Sequence, residues 1–301
     1  MFVTLLFMLA ALLPLQLVGN GEAGDAVEKM TIGICAPSRA IDRSTADHVL
    51  AIAGTSHPEA ELVFHEQCFA AHGHFAGTDA QRRDAFVELA NDAEVDAIWF
   101  ARGGYGGCRI AGEAVAMLGD AAHGKSYMGY SDGGNLLAAL YRAGIGQVAH
   151  GPMVADIGRT GGDAAIARAL DWLLDRDPKA LAVGLEPDTP YVAFNLMTFA
   201  MLVGTDLLPD LKGHILVLEE VDEHLYAIDR AFFAITNALA DKGLNSIALG
   251  RISGVPENDI AFAMTAEEIA QSWCARLGIA YAGRMDIGHD ADNKVVPFGS
   301  R

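Results

Sequence analysis

Residues 129–133 combine a serine with small neighbours in a pattern that can support covalent catalysis. The segment reads Gly-Tyr-Ser-Asp-Gly and matches G-x-S-x-G. A serine in this pattern occupies a sharp turn between a strand and a helix, which lifts its hydroxyl clear of the sheet. A short apolar segment precedes the pattern and a helical segment follows it. Ser131 is therefore a candidate nucleophile; the alternative is a glycine-rich helix start that Ser131 caps.

A second glycine-rich stretch follows an apolar segment at residues 102–107. It reads Arg-Gly-Gly-Tyr-Gly-Gly. Glycines let the backbone approach a ligand closely and point N–H groups at a developing oxyanion. A dinucleotide-binding fingerprint would need a third glycine where Arg109 stands, which disfavours a nucleotide site. The stretch is therefore either an anion-binding turn or a plain tight turn.

Candidate partners for a nucleophile lie in the second half of the chain. His289 is in a polar loop after an apolar segment, a position that suits a general base. Glu219, Glu220 and Glu223 end a strongly apolar strand, where a carboxylate could orient an imidazole and stabilise its charged form. The alternative is that these glutamates form a solvated strand end.

Strand periodicity alone does not select one of these glutamates. Side chains alternate across a strand, so Glu219 and Glu220 should face opposite ways. Both faces of residues 213–221 are apolar before the glutamates, which predicts a strand buried on both sides. Either neighbour could therefore face a histidine.

Neither histidine nor cysteine spacing predicts a metal site. His72 and His74 form an H-x-H pair in a loop, but no third ligand lies near them in the sequence. The cysteines are far apart and include no C-x-x-C pair: Cys35, Cys68, Cys108 and Cys274. We therefore expect scattered buried thiols rather than a zinc site or a disulfide framework.

The segments around these motifs alternate between short apolar strands and helices. Strands are expected at 31–36, 61–65, 95–101, 126–130, 213–221 and 246–252. Helices are expected at 41–53, 80–91, 109–118, 135–142, 163–175, 194–203, 227–241 and 266–277. This alternation predicts an α/β fold with a parallel sheet covered on both faces. Ser38 is predicted to cap the first helix.

A change of pattern near residues 160–190 suggests two domains. Residues 177–190 contain three prolines and read as a loop-like or extended stretch. We predict an N-terminal α/β domain with a parallel sheet over residues 30–160 and a linker over 161–190. A smaller C-terminal α/β domain, expected to have a mixed sheet, would follow over 191–301.

Length and charge exclude several classes of protein. The chain has 301 residues, of which 51% are hydrophobic, enough for a substantial core. With 21 Lys and Arg against 39 Asp and Glu, its formal net charge is −18. Such an acidic surface repels phosphate groups, so we expect no nucleic-acid partner and no stable partner on an anionic membrane.

The first 29 residues differ from the rest. Residues 2–18 are nearly all apolar, and no Lys or Arg precedes Lys29. A signal peptide, a start codon assigned too early and a membrane anchor all remain open. Each of these interpretations excludes residues 1–29 from the fold. The location is expected to be cytoplasmic, or periplasmic if this leader acts as a signal peptide.

Taken together, the motifs resemble those of the LD-carboxypeptidase family, the muramoyltetrapeptide carboxypeptidases, whose relatives include the microcin C immunity peptidases. Seven segments occur in the family's order, from about residue 30 to residue 299. They read TIGICAPS, AAHGHFAGTDAQRRDAF, IWFARGGYGGCRI, MGYSDGGNLLAALY, AHGPMVAD, ILVLEEVDEHLYAIDRAF and DIGHDADNKVVPFG. Any one segment would be weak support, whereas seven in order are highly specific.

The resemblance implies a serine peptidase with a Ser–Glu–His triad. By motif, Ser131 matches the family's nucleophile, Glu219 its glutamate and His289 its histidine. The turn at Gly103 and Gly104 matches the backbone oxyanion site, which the N–H of Asp132 would complete. The resemblance also implies an active site between two domains, a homodimer, and no metal or other cofactor.

The implied reaction removes D-alanine from a murein tetrapeptide by cutting the bond between an L-configured centre of diaminopimelate (or lysine) and D-alanine, a step in peptidoglycan recycling. Two segments depart from the family pattern: Ala193-Phe194 stands where Gly-Gly is common, and Gly134 stands where threonine is common. The pocket walls, and hence the peptide chosen, are therefore less certain than the chemistry. Alternatives are a microcin C immunity-type peptidase, an α/β-hydrolase esterase and a non-catalytic muropeptide-binding protein.

An exopeptidase of this kind must also neutralise the terminal carboxylate of its substrate. On so acidic a chain this requires a local cation. Arg102 and Arg109 lie beside the glycine turn and are the candidates.

Overall fold

The computed structural model describes residues 29–300, which form two β-sheets flanked by helices. The strands are β1 (Met30–Cys35), β2 (Ala60–Phe64), β3 (Ala97–Phe100), β4 (Ser126–Gly129), β5 (Gln147–His150), β6 (Tyr191–Asn195), β7 (Ile215–Val221), β8 (Ser246–Ser253), β9 (Ala280–Arg284) and β10 (Val296–Pro297). The α-helices are α1 (Arg43–Ser56), α2 (Asp79–Asn91), α3 (Gly107–Ala116), α4 (Gly134–Ala143), α5 (Gly162–Asp175), α6 (Leu196–Leu202), α7 (Leu225–Leu239) and α8 (Ala266–Leu277).

The first sheet has the strand order β10-β5-β4-β3-β1-β2. Its first five strands in chain order are parallel to their neighbours, whereas β10 runs antiparallel to β5. The helices between the parallel strands provide the crossover connections that parallel pairing needs. The predicted α/β architecture is therefore confirmed.

The second sheet has the order β6-β7-β8-β9, and all its pairs are parallel. It is therefore not the mixed sheet that we expected for the C-terminal domain. Each pair of successive strands is joined through a helix, which returns the chain in the same direction. The antiparallel pair, β10 with β5, lies in the first sheet instead, because β10 returns to that sheet after the second sheet is complete.

Four strands were not predicted, namely β5, β6, β9 and β10. β10 is only two residues long. β5 is four residues long, and β9 follows α8 after only two residues. All five residues of β6 are buried, and α6 begins directly after it. A short strand that is apolar on both faces lacks the alternation of apolar and polar residues that distinguishes a strand from a helix. The expected helix at 194–203 consequently includes the last two residues of β6.

One apolar core joins the two sheets. Phe100 of β3 and Leu136 of α4, in the first half, belong to one buried cluster. The same cluster includes Phe194 of β6 and Leu218 of β7, in the second sheet. The two halves are therefore packed against each other through a continuous apolar interface, which fixes the relative positions of loops at their shared edge.

Within residues 29–300, no helix is long and apolar enough to cross a membrane. The predictions for the leader concern residues that lie outside this described range, apart from Lys29.

Candidate active site

A cavity of about 630 Å³ opens where loops of the two halves meet. Gly103 and Ser131 line it from the first half, after the carboxyl ends of β3 and β4. Val221, Asp222 and His289 line it from the second half. The carboxyl edges of two parallel sheets therefore share one cavity, the usual position for a ligand site in α/β proteins.

Ser131 occupies the turn that the sequence pattern predicts. It begins a short 3₁₀ turn between β4 and α4 and has a φ of 56°. A left-handed conformation is uncommon for a residue with a side chain and is frequent at functional sites. A Cβ on Gly103 would lie 2.8 Å from Ser131 Oγ. Glycine at that position therefore lets the neighbouring backbone lie directly against the serine hydroxyl.

The glycine turn offers free hydrogen-bond donors beside this hydroxyl. In the part of the chain that the structure covers, the N–H groups of Gly103 and Gly104 donate no hydrogen bond. Unpaired backbone N–H groups next to a nucleophile are suited to bind an oxyanion. This arrangement favours the anion-binding interpretation over the plain turn.

The carboxylate of Asp132 holds the two turns together. Its Oδ2 accepts hydrogen bonds from Ser38 Oγ at 2.5 Å and from the backbone N of Gly107 at 2.6 Å, and its Oδ1 accepts one from Asn135 Nδ2 at 3.1 Å. The prediction that Ser38 caps α1 is wrong, because that helix begins after Asp42. Ser38 instead follows β1 at the shared edge and contacts the nucleophile turn.

Glu219 and His289 form a buried pair. His289 Nδ1 lies 2.6 Å from Glu219 Oε2, and Glu219 is fully buried. Burial disfavours the imidazolium, but the charge and hydrogen bond of Glu219 outweigh it, so the pKa of His289 is raised. Glu220 adds to this increase and Arg159 opposes it. With Nδ1 directed at a carboxylate, Nε2 is the nitrogen left for proton transfer.

His289 and Ser131 face the same cavity, but they form no hydrogen bond with each other among residues 29–300. Nucleophile–base contacts are often longer in structures without substrate and shorten when it binds. The ring of Tyr130, directly before the serine, packs 4.8 Å from the His289 ring between centroids. The imidazole therefore packs against the turn that carries the nucleophile.

Glu220 faces away from the histidine. Its carboxylate accepts hydrogen bonds from Asn195 Nδ2 at 2.6 Å and from the backbone N of Met197 and Val221, both at 2.9 Å. Burial raises the pKa of Glu220 to about 6, although these donors oppose the shift. The structure thus places Glu219 against the histidine and Glu220 at the start of α6. Glu223 lies beyond the end of β7.

Gly250 lets the histidine loop approach Glu219. The register of β8 against β7 shifts between Leu218 and Glu220, so β8 bulges opposite Glu219. A Cβ on Gly250 would lie 2.8 Å from Glu219 Cβ and 2.9 Å from the carbonyl oxygen of Ile287. Sequence analysis did not identify this residue, because a glycine within a strand pattern signals a bulge without showing what approaches it.

Charged and amide side chains anchor the histidine loop from both halves. Arg251 of β8 contacts Asp290 at 2.5 and 2.8 Å and also pairs with Asp286. Asn293 Oδ1 accepts a hydrogen bond from the backbone N of Gly288 and lies 3.1 Å from Nε2 of His150, at the end of β5. The loop position is therefore set jointly by the two sheets.

Three arginines line the first-half wall of the cavity: Arg39, Arg102 and Arg159. Arg159 pairs with Asp156 at 2.8 Å. Arg102 has no ion pair with any described residue, and its pKa is lowered by burial and by the neighbouring charge of Arg39. Arg109, the second sequence candidate, does not line the cavity, because it points to the surface and pairs with Asp79 at 2.6 Å.

Two family models cover most of the chain. Residues 32–151 match the LD-carboxypeptidase N-terminal domain, and residues 190–301 match the LD-carboxypeptidase C-terminal domain. The chain belongs to the LD-carboxypeptidase family. The resemblance inferred from the sequence motifs is therefore confirmed.

Individual members of this family are also similar to the chain. A murein tetrapeptide carboxypeptidase of Pseudomonas aeruginosa is 27% identical over 246 residues, covering 76% of this chain and 79% of the relative. The crystal structure of muramoyltetrapeptide carboxypeptidase from Oxalobacter formigenes matches with a TM-score of 0.73 at 23% identity, covering 89% of this chain and 93% of that one. The microcin C7 self immunity protein MccF, in complex with aspartyl sulfamoyl adenosine, matches with a TM-score of 0.70 at 18% identity, covering 90% and 96%. Because both solved structures are less than 25% identical to this chain, their similarity establishes the fold alone.

In this chain, Ser131 follows a strand of the first sheet, Glu219 belongs to the second sheet, and His289 lies in the loop that follows β9. An α/β-hydrolase esterase would carry all three residues on the loops of one continuous sheet, so the arrangement does not fit that alternative. Among the described side chains, no group of three or more His, Cys, Asp or Glu is placed to hold a metal ion.

Proposed function

We propose that this chain is a serine carboxypeptidase that hydrolyses the LD-peptide bond of murein tetrapeptide and releases D-alanine for peptidoglycan recycling. One observation carries the proposal: a buried Glu219–His289 pair faces the same cavity as a serine held in a left-handed turn. The names of the Pseudomonas aeruginosa and Oxalobacter formigenes relatives support a muropeptide as the substrate.

The reaction begins with proton transfer from Ser131 Oγ to His289 Nε2 as the oxygen attacks the scissile carbonyl. The resulting oxyanion is bound by the N–H groups of Gly103 and Gly104, with that of Asp132 as a further donor. Removing one such donor in a well-studied protease costs about 3–4 kcal/mol of transition-state stabilisation. His289 then donates the proton to the leaving amine, and water releases the acyl group by the same route.

Glu219 serves His289 in two ways. Its carboxylate holds the tautomer that leaves Nε2 free to accept the proton from serine. It also stabilises the imidazolium that forms during attack, which agrees with the raised pKa of His289.

Arg102 is suited to bind the terminal carboxylate of the leaving amino acid. It is half-buried, lies next to Gly103 and has no acidic partner among the described residues. A guanidinium can bind a carboxylate through two parallel hydrogen bonds. Arg102→Lys should therefore raise KM for peptides with a free C-terminus, while Arg109→Lys, on the outer surface, should not.

The proposal is tested by mass spectrometry of the products. Purified protein is incubated with murein tetrapeptide, with its C-terminal amide, or with aspartyl sulfamoyl adenosine, each in the presence and absence of EDTA. We expect D-alanine and a tripeptide from the free acid alone, with no effect of EDTA. Cleavage of the nucleoside substrate alone would favour the immunity-type alternative, and binding without cleavage would favour a muropeptide-binding protein. The cytoplasmic location and the homodimer stay predictions.

A further inference from the structure

A second cavity, of about 530 Å³, lies near the amino ends of β4 and β5. Ser126 and Gln147, the first residues of these strands, line it. Ser131 follows the carboxyl end of β4, so the second cavity and the active site lie at opposite ends of that strand. Its wall is mainly apolar and aromatic and includes Val148, Trp172, Leu173, Leu181 and Phe298. A cavity of this size and lining suits a small organic ligand.

Arg176 is the one charged side chain among the described residues that line this second cavity. It directly follows α5 and has a φ of 55°, a left-handed conformation that is uncommon for a residue with a side chain. Its backbone N donates a hydrogen bond to the carbonyl oxygen of Trp172 at 3.2 Å. Its guanidinium carbon lies 5.1 Å from the centroid of the Trp172 ring. Trp172 therefore fixes both the backbone and the side chain of Arg176 at the cavity.

The guanidinium of Arg176 has only uncharged hydrogen-bond partners. Nη1 donates to the carbonyl oxygen of Trp172 at 2.9 Å. Nη2 donates to Gln147 Oε1 at 3.1 Å and to Ser126 Oγ. A guanidinium has five N–H groups, so two of them have no acceptor among residues 29–300. Both the charge and two donors are therefore available to a ligand.

Other half-buried arginines of the chain differ from Arg176 in having acidic partners. Arg159 pairs with Asp156, and Arg251 pairs with two aspartates. Arg176 forms no ion pair with any described residue, and its pKa is lowered by burial with no nearby carboxylate to oppose the shift. The chain has 39 Asp and Glu but 21 Lys and Arg. On so acidic a chain, a half-buried cation that lacks a carboxylate is suited to receive one from a ligand.

We propose that the second cavity binds a monocarboxylate with an apolar body, whose carboxylate pairs with Arg176 and whose body packs on the apolar wall. The inference is independent of the proposed function. Arginine forms strong, charge-assisted hydrogen bonds with carboxylates, and the apolar wall gains free energy by covering hydrocarbon. No acidic residue of the described chain lines the cavity, so a ligand's ammonium group would find no counter-charge there. The ligand is therefore a simple organic acid rather than a zwitterionic peptide.

The test measures binding of three eight-carbon probes to the full chain by isothermal titration calorimetry. Octanoate carries the carboxylate, 1-octanol is neutral, and octylammonium carries the opposite charge. We expect octanoate to bind one-to-one with a Kd below about 1 mM. Octanol and octylammonium should bind at least about tenfold more weakly, because neither can accept a charge-assisted hydrogen bond from Arg176.

Two variants remove the free cation in different ways. Arg176→Gln deletes the charge. Gln147→Glu keeps Arg176 but places a carboxylate where Gln147 Oε1 lies 3.1 Å from Nη2, so the guanidinium gains a partner within the chain. Gln147 is exposed, so this change should leave the fold intact even if Arg176→Gln does not fold. Each variant should weaken octanoate binding at least about tenfold.

Gln271→Glu is the matched control, because it adds the same charge at an exposed position of α8 that does not line the cavity. It should bind octanoate as the native chain does. Octanoate that binds no more tightly than octanol, or that binds Gln147→Glu as tightly as the native chain, would overturn the inference. An equal loss of binding in Gln271→Glu would also overturn it, since net charge rather than Arg176 would then control binding.

Discussion

At the scale of single residues, two adjacent glutamates have different contacts. Glu219 is bonded to His289, whereas Glu220 accepts backbone and amide hydrogens at the start of α6. Glu219→Ala should lower kcat by about 10³–10⁴-fold, as loss of the acidic triad member does in well-studied serine proteases. Glu220→Ala should cost far less activity and instead lower the unfolding free energy by about 1–3 kcal/mol, because buried donors lose their acceptor.

Steady-state kinetics and thermal unfolding of both variants decide between these outcomes, with circular dichroism as the check on folding. If Glu220→Ala loses most of its kcat while Glu219→Ala keeps it, the assignment of Glu219 as the triad glutamate is contradicted.

The raised pKa of His289 predicts how activity depends on pH. A general base must be neutral, so kcat/KM should fall as pH decreases through a midpoint above the ordinary histidine value of about 6.5. Glu219→Gln removes the charge that stabilises the imidazolium, so the residual activity should have a lower midpoint. A pH profile whose midpoint is the same in both proteins would show that another group controls it.

The same pKa shift links protonation to stability. Because the folded state raises the pKa of His289, the charged pair stabilises the fold at pH values below the unfolded-state pKa. This contribution is lost as pH rises through the folded-state pKa. Chemical denaturation at several pH values should show the effect in the native protein and a smaller one in Glu219→Gln.

At the scale of elements, the bulge in β8 sets the distance between the second sheet and the histidine loop. Gly250→Ala would place a methyl group 2.8 Å from Glu219 Cβ and 2.9 Å from a backbone oxygen. We expect it to destabilise the fold by about 1–3 kcal/mol and to lower kcat at least tenfold. Gly54→Ala is the matched control, since a Cβ there meets nothing within 4 Å and alanine favours its helix. Equal behaviour of the two variants would exclude the proposed packing role.

Sequence patterns predicted most elements because the helices and longer strands have clear periodicity. They also indicated Ser131 and His289, and the family resemblance selected Glu219 from three neighbouring glutamates. The structure brings Ser131 and His289 to one cavity and places Glu219 against the histidine. Arg39, which follows β1, and Asp222, which follows β7, also line the cavity and were missed. Neither residue belongs to a local motif, and its position at the cavity depends on long-range packing and on turn geometry.

At the scale of the whole molecule, the site exists because two sheets share one apolar core and one edge. The first described strand begins at Met30 and lies inside the first sheet, paired with β2 and β3. A chain that starts at Met30 should therefore fold, remain soluble and retain the kcat of the full-length protein. Size-exclusion chromatography and kinetics test this expectation, and aggregation or inactivity of the shorter chain alone would mean that the leader belongs to the fold.

The most direct test of the account is the rate of D-alanine release from murein tetrapeptide by the native chain and by Ser131→Ala. The account predicts a fall of at least about 10⁴-fold in kcat, with substrate affinity and thermal stability nearly unchanged, because the hydroxyl is the attacking atom and makes no structural hydrogen bond within the described residues. A variant that folds normally and keeps most of its activity would contradict nucleophilic catalysis by Ser131.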